Sequence, residues 1–279
     1  MSDRIFVTGM GIISALGKNL PENFDALSHG RSGIGPIRLL DTIHKGNIPV
    51  AEVPFSNEEL AAMLSLQNID NLTRTSLLAI KAVKEAVDTA QIKDFQGTGL
   101  ISANTVGGMD KSEQFYYDFL KLKKVNPFFE THDCADSTEK VADYFGIDEF
   151  MTTVSTACSS ASNAILLGAR LIQSSMLKRV IAGGTECLTK FHLNGFNSLK
   201  ILDNEPCKPF DKNRAGINLG EGAAYIVLES EELAASHDKD YFFELTGWGN
   251  ACEAYHQTAS SPEGDGAYLA MQKALQMSG

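Results

Sequence analysis

The sequence lacks the usual features of membrane, secreted and disulfide-rich proteins. Its 279 residues contain no apolar run of about 18 or more, so no transmembrane helix is predicted. The N-terminus, MSDRIFVTGMG, has no charged segment followed by an apolar one, as a secretion signal would. The five cysteines are odd in number, and no two have the C-x-x-C spacing of zinc or redox motifs. These absences predict a reduced, cytoplasmic protein with no metal site.

Basic residues and nucleotide-binding motifs are also scarce. Lys and Arg total 24 against 35 Asp and Glu, which gives a net charge of −11 and argues against nucleic acid as a partner, although a local basic patch is not excluded. GMGIIS (9–14) begins as G-x-G, but Ser14 stands where a dinucleotide fingerprint needs its third glycine. No G-x-x-x-x-G-K-[ST] motif occurs either. We therefore expect no nucleotide cofactor.

Strand and helix signals alternate along the chain, which is typical of an α/β fold. Apolar or β-branched runs predict strands at 4–11, 99–105, 150–157, 178–186 and 223–230, and helical spacing covers 72–90 and 159–176. The strand at 4–11 is predicted to run into a glycine turn, the strand at 178–186 ends in glycines, and the strand at 150–157 looks buried. IFVTGMG (5–11) is echoed by FELTGWG (243–249), which suggests a duplicated architecture whose second copy begins near residue 240.

A cysteine lies between a predicted strand and a predicted helix in TTVSTACSSASNAI (152–165). A thiol attacks as its thiolate, and the N-terminus of a helix favours negative charge. Cys158 is therefore a candidate nucleophile, and its small neighbours would permit a tight turn. Free cysteine is equally typical of apolar packing, so its position alone leaves both interpretations open.

Four motifs then occur in order: VTGMGIISALG (7–17), TACSS (156–160), AGGTE (182–186) and PFDKNRAGINLGEGAA (209–224). Together they resemble the β-ketoacyl synthases of the thiolase superfamily, from about residue 4 to the last residue. The resemblance implies a thiolase-like, layered αβαβα fold, with residues 1–237 as the N-terminal half carrying the nucleophile and 238–279 as the beginning of the C-terminal half. EAYH, with Glu253, stands where the family usually has DAYH.

The resemblance also implies a reaction. Cys158 would receive an acyl group from an acyl-carrier protein, and its backbone N–H would serve as an oxyanion donor. A malonyl-carrier thioester would then lose CO₂ and attack the acyl group, giving a β-ketoacyl-carrier product in fatty-acid or polyketide synthesis. By the same resemblance, the intact protein is expected to be a homodimer.

Three further residues take roles from the family. Phe196 matches a position that lines the acyl pocket, although an ordinary core phenylalanine is the alternative. Lys123 and Lys124, before NPFF, match a basic pair near the entrance used by the acidic carrier protein, although a solvated loop is equally compatible.

The family's two catalytic histidine motifs and its Gly-Phe-Gly-Gly loop do not occur in this sequence. We therefore expect a sequence truncated before the catalytic histidines, with incomplete activity on its own. A non-condensing carrier-binding or partner subunit and a CoA-dependent, thiolase-type acyltransferase remain as alternatives.

Overall fold

The computed structural model describes residues 4–123, 126–236, 240–256 and 259–279. The elements in chain order are β1 (Ile5–Ser14), α1 (Leu20–Ser28), α2 (Asn57–Met63), α3 (Arg74–Thr89), β2 (Thr98–Ala103), α4 (Met109–Leu122), a 3₁₀ helix (Pro127–His132), α5 (Cys134–Phe145), β3 (Phe150–Val154), α6 (Ser160–Gln173), β4 (Arg179–Glu186), α7 (Lys190–Ser198), β5 (Gly222–Ser230), α8 (Glu231–Ser236), β6 (Phe243–Glu244) and α9 (Asp265–Ser278). The alternation of strands and helices confirms the predicted α/β class.

A mixed, six-stranded sheet has the order β3-β2-β4-β5-β1-β6. β2 runs parallel to β3 and β4, whereas β5 is antiparallel to both β4 and β1. Successive side chains of a strand point to opposite faces. On β4, Ile181 therefore packs in the core beneath α3 and α5, and Val180 and Ala182 pack in the core beneath α6. The sheet thus lies between two helical layers.

The glycine turn predicted at the end of the first strand is wrong. β1 continues through Gly9 and Gly11 to Ser14, with a register shift between Val7 and Gly9. These glycines are needed for close packing instead, because a Cβ at Gly11 would lie 2.1 Å from the carbonyl oxygen of Ala82 on α3. β4 includes Gly183 and Gly184 and ends at Glu186, in agreement with the strand predicted at 178–186.

The sequence echo at 243–249 extends to packing. A Cβ at Gly9 would meet the carbonyl oxygen of Ala86 on α3 at 2.2 Å, and one at Gly247 would meet that of Ala274 on α9 at 2.2 Å. The second glycine of each segment meets the same helix one turn nearer its N-terminus: Gly249 meets Ala270 on α9, and Gly11 meets Ala82 on α3. Both Thr-Gly-x-Gly segments therefore lie directly on a helix backbone, which supports the predicted duplication; the domain boundary at 237 remains a prediction.

β3 is shorter and more exposed than predicted. It ends at Val154 rather than at residue 157, and within the described part of the chain it forms one edge of the sheet. All its residues are partly or fully exposed, so the expectation of a buried strand is wrong. Burial was inferred from β-branched side chains, which suit an edge strand equally well.

Candidate active site

The segment between β3 and α6 is a tight, strained turn. Ala157 has a φ of 52°, in the left-handed region that costs a residue with a Cβ roughly 1–2 kcal/mol. The Ser160 hydroxyl stabilises the turn, because it accepts a hydrogen bond from Thr156 N–H at 2.7 Å and donates one to the Ala157 carbonyl at 2.6 Å. The small residues around the cysteine therefore make a sharp reversal, as predicted.

Cys158 is exposed at the end of this turn, two residues before α6 begins. Ser159, the N-cap of α6, makes no side-chain capping bond to the helix, since its hydroxyl donates to the Thr156 carbonyl at 2.8 Å instead. The N-terminus of α6 thus has no side-chain oxygen as its cap, and its partial positive charge lies next to Cys158. The exposure also argues against the packing interpretation of Cys158.

Cys158 opens into a cleft of about 580 Å³, within the size range of small-molecule sites. The cleft lies where β1, β2 and β4 end and β5 begins. Its lining is mostly apolar and consists of Ile12, Ile13, Ser14, Ala103, Thr105, Ala157, Cys158, Ser160, Ala161, Gly184, Thr185, Glu186, His192, Phe196, Gly222, Ala223 and Ala224. The structure therefore brings Cys158 and Phe196, the predicted nucleophile and acyl-pocket residue, to one cleft.

α7 contributes a residue that sequence reasoning missed. His192 precedes Phe196 by four positions, and both line the cleft, because residues four apart share one face of a helix. The His192 ring is half-buried, and this burial lowers its pKa below the ordinary value. The signal available in the sequence was the spacing of four residues between His192 and Phe196, which puts both on one face of a helix. A search for the family's histidine motifs does not detect that spacing.

Glu186 adds a second polar group to the cleft. Its Oε1 accepts hydrogen bonds from the backbone N–H and the hydroxyl of Thr105, both at 2.6 Å. Its Oε2 is buried and has no hydrogen-bond partner among the described residues. Burial raises the pKa of this carboxyl, although the bonds from Thr105 oppose the shift.

A buried ion pair joins the segments that form the cleft wall. The side chain of Glu221 is fully buried and bonds Arg74 on α3, from Nη2 to Oε1 at 2.6 Å and from Nε to Oε2 at 2.9 Å. The same carboxylate accepts the backbone N–H groups of Val53 and Leu188 at 2.9 and 3.0 Å. Glu221 thus fixes the start of β5, which lines the cleft, to the loop that leads into α7.

The predicted carrier-docking pair lies elsewhere. Lys123 is exposed at the C-terminal cap of α4, with a φ of 53°, and does not line the cleft around Cys158. Lys124 falls outside the described residues. The docking role of this pair stays a prediction.

The described parts of the chain place no three His, Cys, Asp or Glu side chains where they could together hold a metal ion. Among the same residues, no helix is long and apolar enough to cross a bilayer.

Comparison with known proteins identifies the family. Residues 2–234 match the model of the β-ketoacyl synthase N-terminal domain. The 3-oxoacyl-[acyl-carrier-protein] synthase 2 of Staphylococcus aureus (strain COL) is 30% identical over 290 residues, which cover 99% of this chain and 69% of the relative. The enzyme of the same name from Synechocystis shows the same identity and coverage.

Solved structures agree in fold. The ishigamide ketosynthase/chain length factor superposes with a TM-score of 0.90 at 27% identity, covering 98% of this chain and 70% of that one. A β-ketoacyl synthase from Burkholderia phymatum gives a TM-score of 0.84 at 23% identity, covering 99% of this chain and 70% of that one, and so supports the fold alone. The thiolase-like fold predicted from the motifs is confirmed, and so is the assignment to ketoacyl-carrier-protein synthases. The chain belongs to the β-ketoacyl synthase family.

Proposed function

We propose that Cys158 carries the acyl group of a decarboxylative condensation. In the first step its thiolate attacks the carbonyl carbon of an acyl-carrier thioester. The C–S bond to Cys158 forms, the C–S bond to the carrier breaks, and the carrier thiolate takes up the proton that the Cys158 thiol gave up. In the second step a malonyl-carrier thioester loses CO₂, its α-carbon attacks the Cys158 thioester, and the thiolate is released. The product is a β-ketoacyl-carrier protein, and the covalent intermediate divides the reaction into two easier steps.

The observation that carries this proposal is the place of Cys158. An accessible thiol at the N-terminus of α6 opens into a mostly apolar cleft. The helix terminus favours the thiolate, the cleft suits an acyl chain, and the backbone N–H of Cys158 is the family's position for an oxyanion donor. Phe196 on α7 would contact the chain.

The described residues account for the first step more fully than for the second. Decarboxylation develops negative charge on the malonyl thioester, and that charge needs donors placed against it. The two histidine motifs that the family resemblance assigns to this task are absent from the sequence. We therefore expect these residues to support acyl transfer, with slow or no condensation unless other groups supply the donors.

We also propose that the protein forms a homodimer and receives its substrates from an acyl-carrier protein near Lys123 and Lys124. Among the described strands β3 is an open sheet edge, and open edges pair readily with another chain. A solved ketosynthase from Xenorhabdus doucetiae is in complex with its chain length factor. The superposition has a TM-score of 0.81 at 25% identity and covers 99% of this chain and 68% of the solved chain. For a protein of net charge −11, a local basic patch would attract an acidic carrier.

The test supplies acyl-carrier protein or acyl-CoA as donor and isotope-labelled malonyl-carrier protein as acceptor, and follows both half-reactions by mass spectrometry. We expect acylation from the carrier thioester, faster than from acyl-CoA, and dependent on Cys158. Acylation from CoA alone would instead support the thiolase-type alternative. Binding of carrier protein with no acylation of a folded chain would support a non-condensing partner. Light scattering checks the dimer, and a sharp monomer peak would contradict it.

A further inference from the structure

The His192 ring has a fixed tautomer. The hydroxyl of Thr189, the N-cap of α7, is fully buried. It accepts the backbone N–H of His192 at 3.1 Å and lies 2.8 Å from His192 Nδ1. A buried hydroxyl hydrogen needs an acceptor, and within the described chain Nδ1 is the one in reach. Nδ1 therefore accepts, and in the neutral ring the proton resides on Nε2.

This tautomer gives the cleft a hydrogen-bond donor. The Nδ1 edge of the ring is tied back to Thr189, so the Nε2–H edge is the one left for the cleft, and no described residue accepts from it. This donor thus interrupts a mainly apolar lining, in the cleft that Phe196 and Cys158 also line.

An unsubstituted acyl chain that displaced water from this edge of the ring would leave the Nε2–H donor unpaired, which is costly. A chain that carries an oxygen would pair this donor, because a carbonyl or hydroxyl oxygen accepts from Nε2–H. We propose that His192 is a specificity-determining residue and that the cleft prefers oxygenated acyl chains, which carry a carbonyl or hydroxyl group within reach of His192 Nε2. This inference rests on the proposed acylation of Cys158.

The experiment measures acylation of Cys158 by intact mass with a panel of carrier thioesters of equal length. One carbonyl or hydroxyl group is moved along the chain, and the unsubstituted acyl thioester is the reference. Each rate is divided by the reference rate on the same variant, so that a general loss of activity cancels. In the native protein we expect at least one oxygenated thioester to react on the order of tenfold faster than the reference.

His192→Phe, which keeps an aromatic ring but removes the donor, should abolish that preference. His192→Gln, whose amide N–H lies near the place of Nε2–H, should restore most of it. His29→Gln, at the exposed C-terminal cap of α1, is the matched control and should leave the ratio unchanged.

Acylation with no preference for any oxygenated chain, or a preference that survives in His192→Phe, would overturn the inference while the proposed function stands. A folded protein that no thioester acylates would overturn both. These two failures are therefore distinguishable.

Discussion

Replacing Arg74 by Met should destabilise the protein strongly, because it leaves the Glu221 carboxylate buried without its cation. The Glu221 side chain has no exposed surface, and Arg74 provides two of its four hydrogen bonds. Removing one partner of such a pair costs about 3–5 kcal/mol. This is a large share of the roughly 5–15 kcal/mol that holds a typical domain folded.

The matched control is Lys84→Met. Lys84 and Asp88 form an ion pair at 3.1 Å with side chains that are 43% and 61% exposed, and exposed pairs are worth about 0–1 kcal/mol. Urea unfolding followed by circular dichroism measures both variants. Because Glu221 also anchors the cleft wall, Arg74→Met should slow acylation of Cys158 in the fraction that remains folded. If the two variants lost similar stability, below about 1 kcal/mol, the role assigned to the buried pair would be refuted.

Three further predictions test the fold. Ala157→Val should lower the free energy of unfolding by about 2 kcal/mol, because a β-branched side chain tolerates a positive φ poorly, whereas Ala157→Gly should not destabilise; urea titration of both variants checks this, and equal values would contradict it. Gly11→Ala should cost about 2–4 kcal/mol, because its Cβ would lie 2.1 Å from a carbonyl oxygen of α3. Gly35→Ala, where nothing lies within 4 Å, is its control, and similar thermal stability of the two variants would refute the packing argument. Burial raises the pKa of Asp136 from 3.8 to about 6, so the folded state binds a proton on this carboxyl more tightly than the unfolded state does. The stability that this proton contributes is lost as the pH rises from about 4 to about 6. Asp136→Asn should therefore raise the free energy of unfolding by about 1–3 kcal/mol near pH 8 and change it little near pH 4; a gain of equal size at both pH values would contradict this.

The sequence predicted the chemistry of the site better than its surroundings. Cys158 could be predicted because a strand, small residues and a helix leave a local pattern, and because family motifs surround it. Phe196 could be placed by resemblance, and the structure puts it in the same cleft. The buried pair of Glu221 and Arg74 could not be predicted, because the two residues lie 147 positions apart along the chain and no local pattern joins them.

Other features depend on long-range packing. The glycines of β1 carry a turn signal, but the close approach of α3 requires them within a strand. The edge position of β3 could not be inferred from its β-branched composition, because that composition suits central and edge strands alike. His192 lines the cleft because it lies on the same face of α7 as Phe196, and its ring is held by the hydroxyl of the N-cap residue Thr189. Neither feature is part of a family motif.

The most direct test of the central claim is intact-mass analysis of the purified protein after exposure to an acyl-carrier thioester, followed by peptide mapping. We predict one acyl adduct on Cys158, absent in Cys158→Ala and retained in Cys252→Ala, which removes another exposed thiol. No adduct on a folded protein, or an adduct that persists in Cys158→Ala, would contradict the assignment of Cys158 as the acyl-carrying nucleophile.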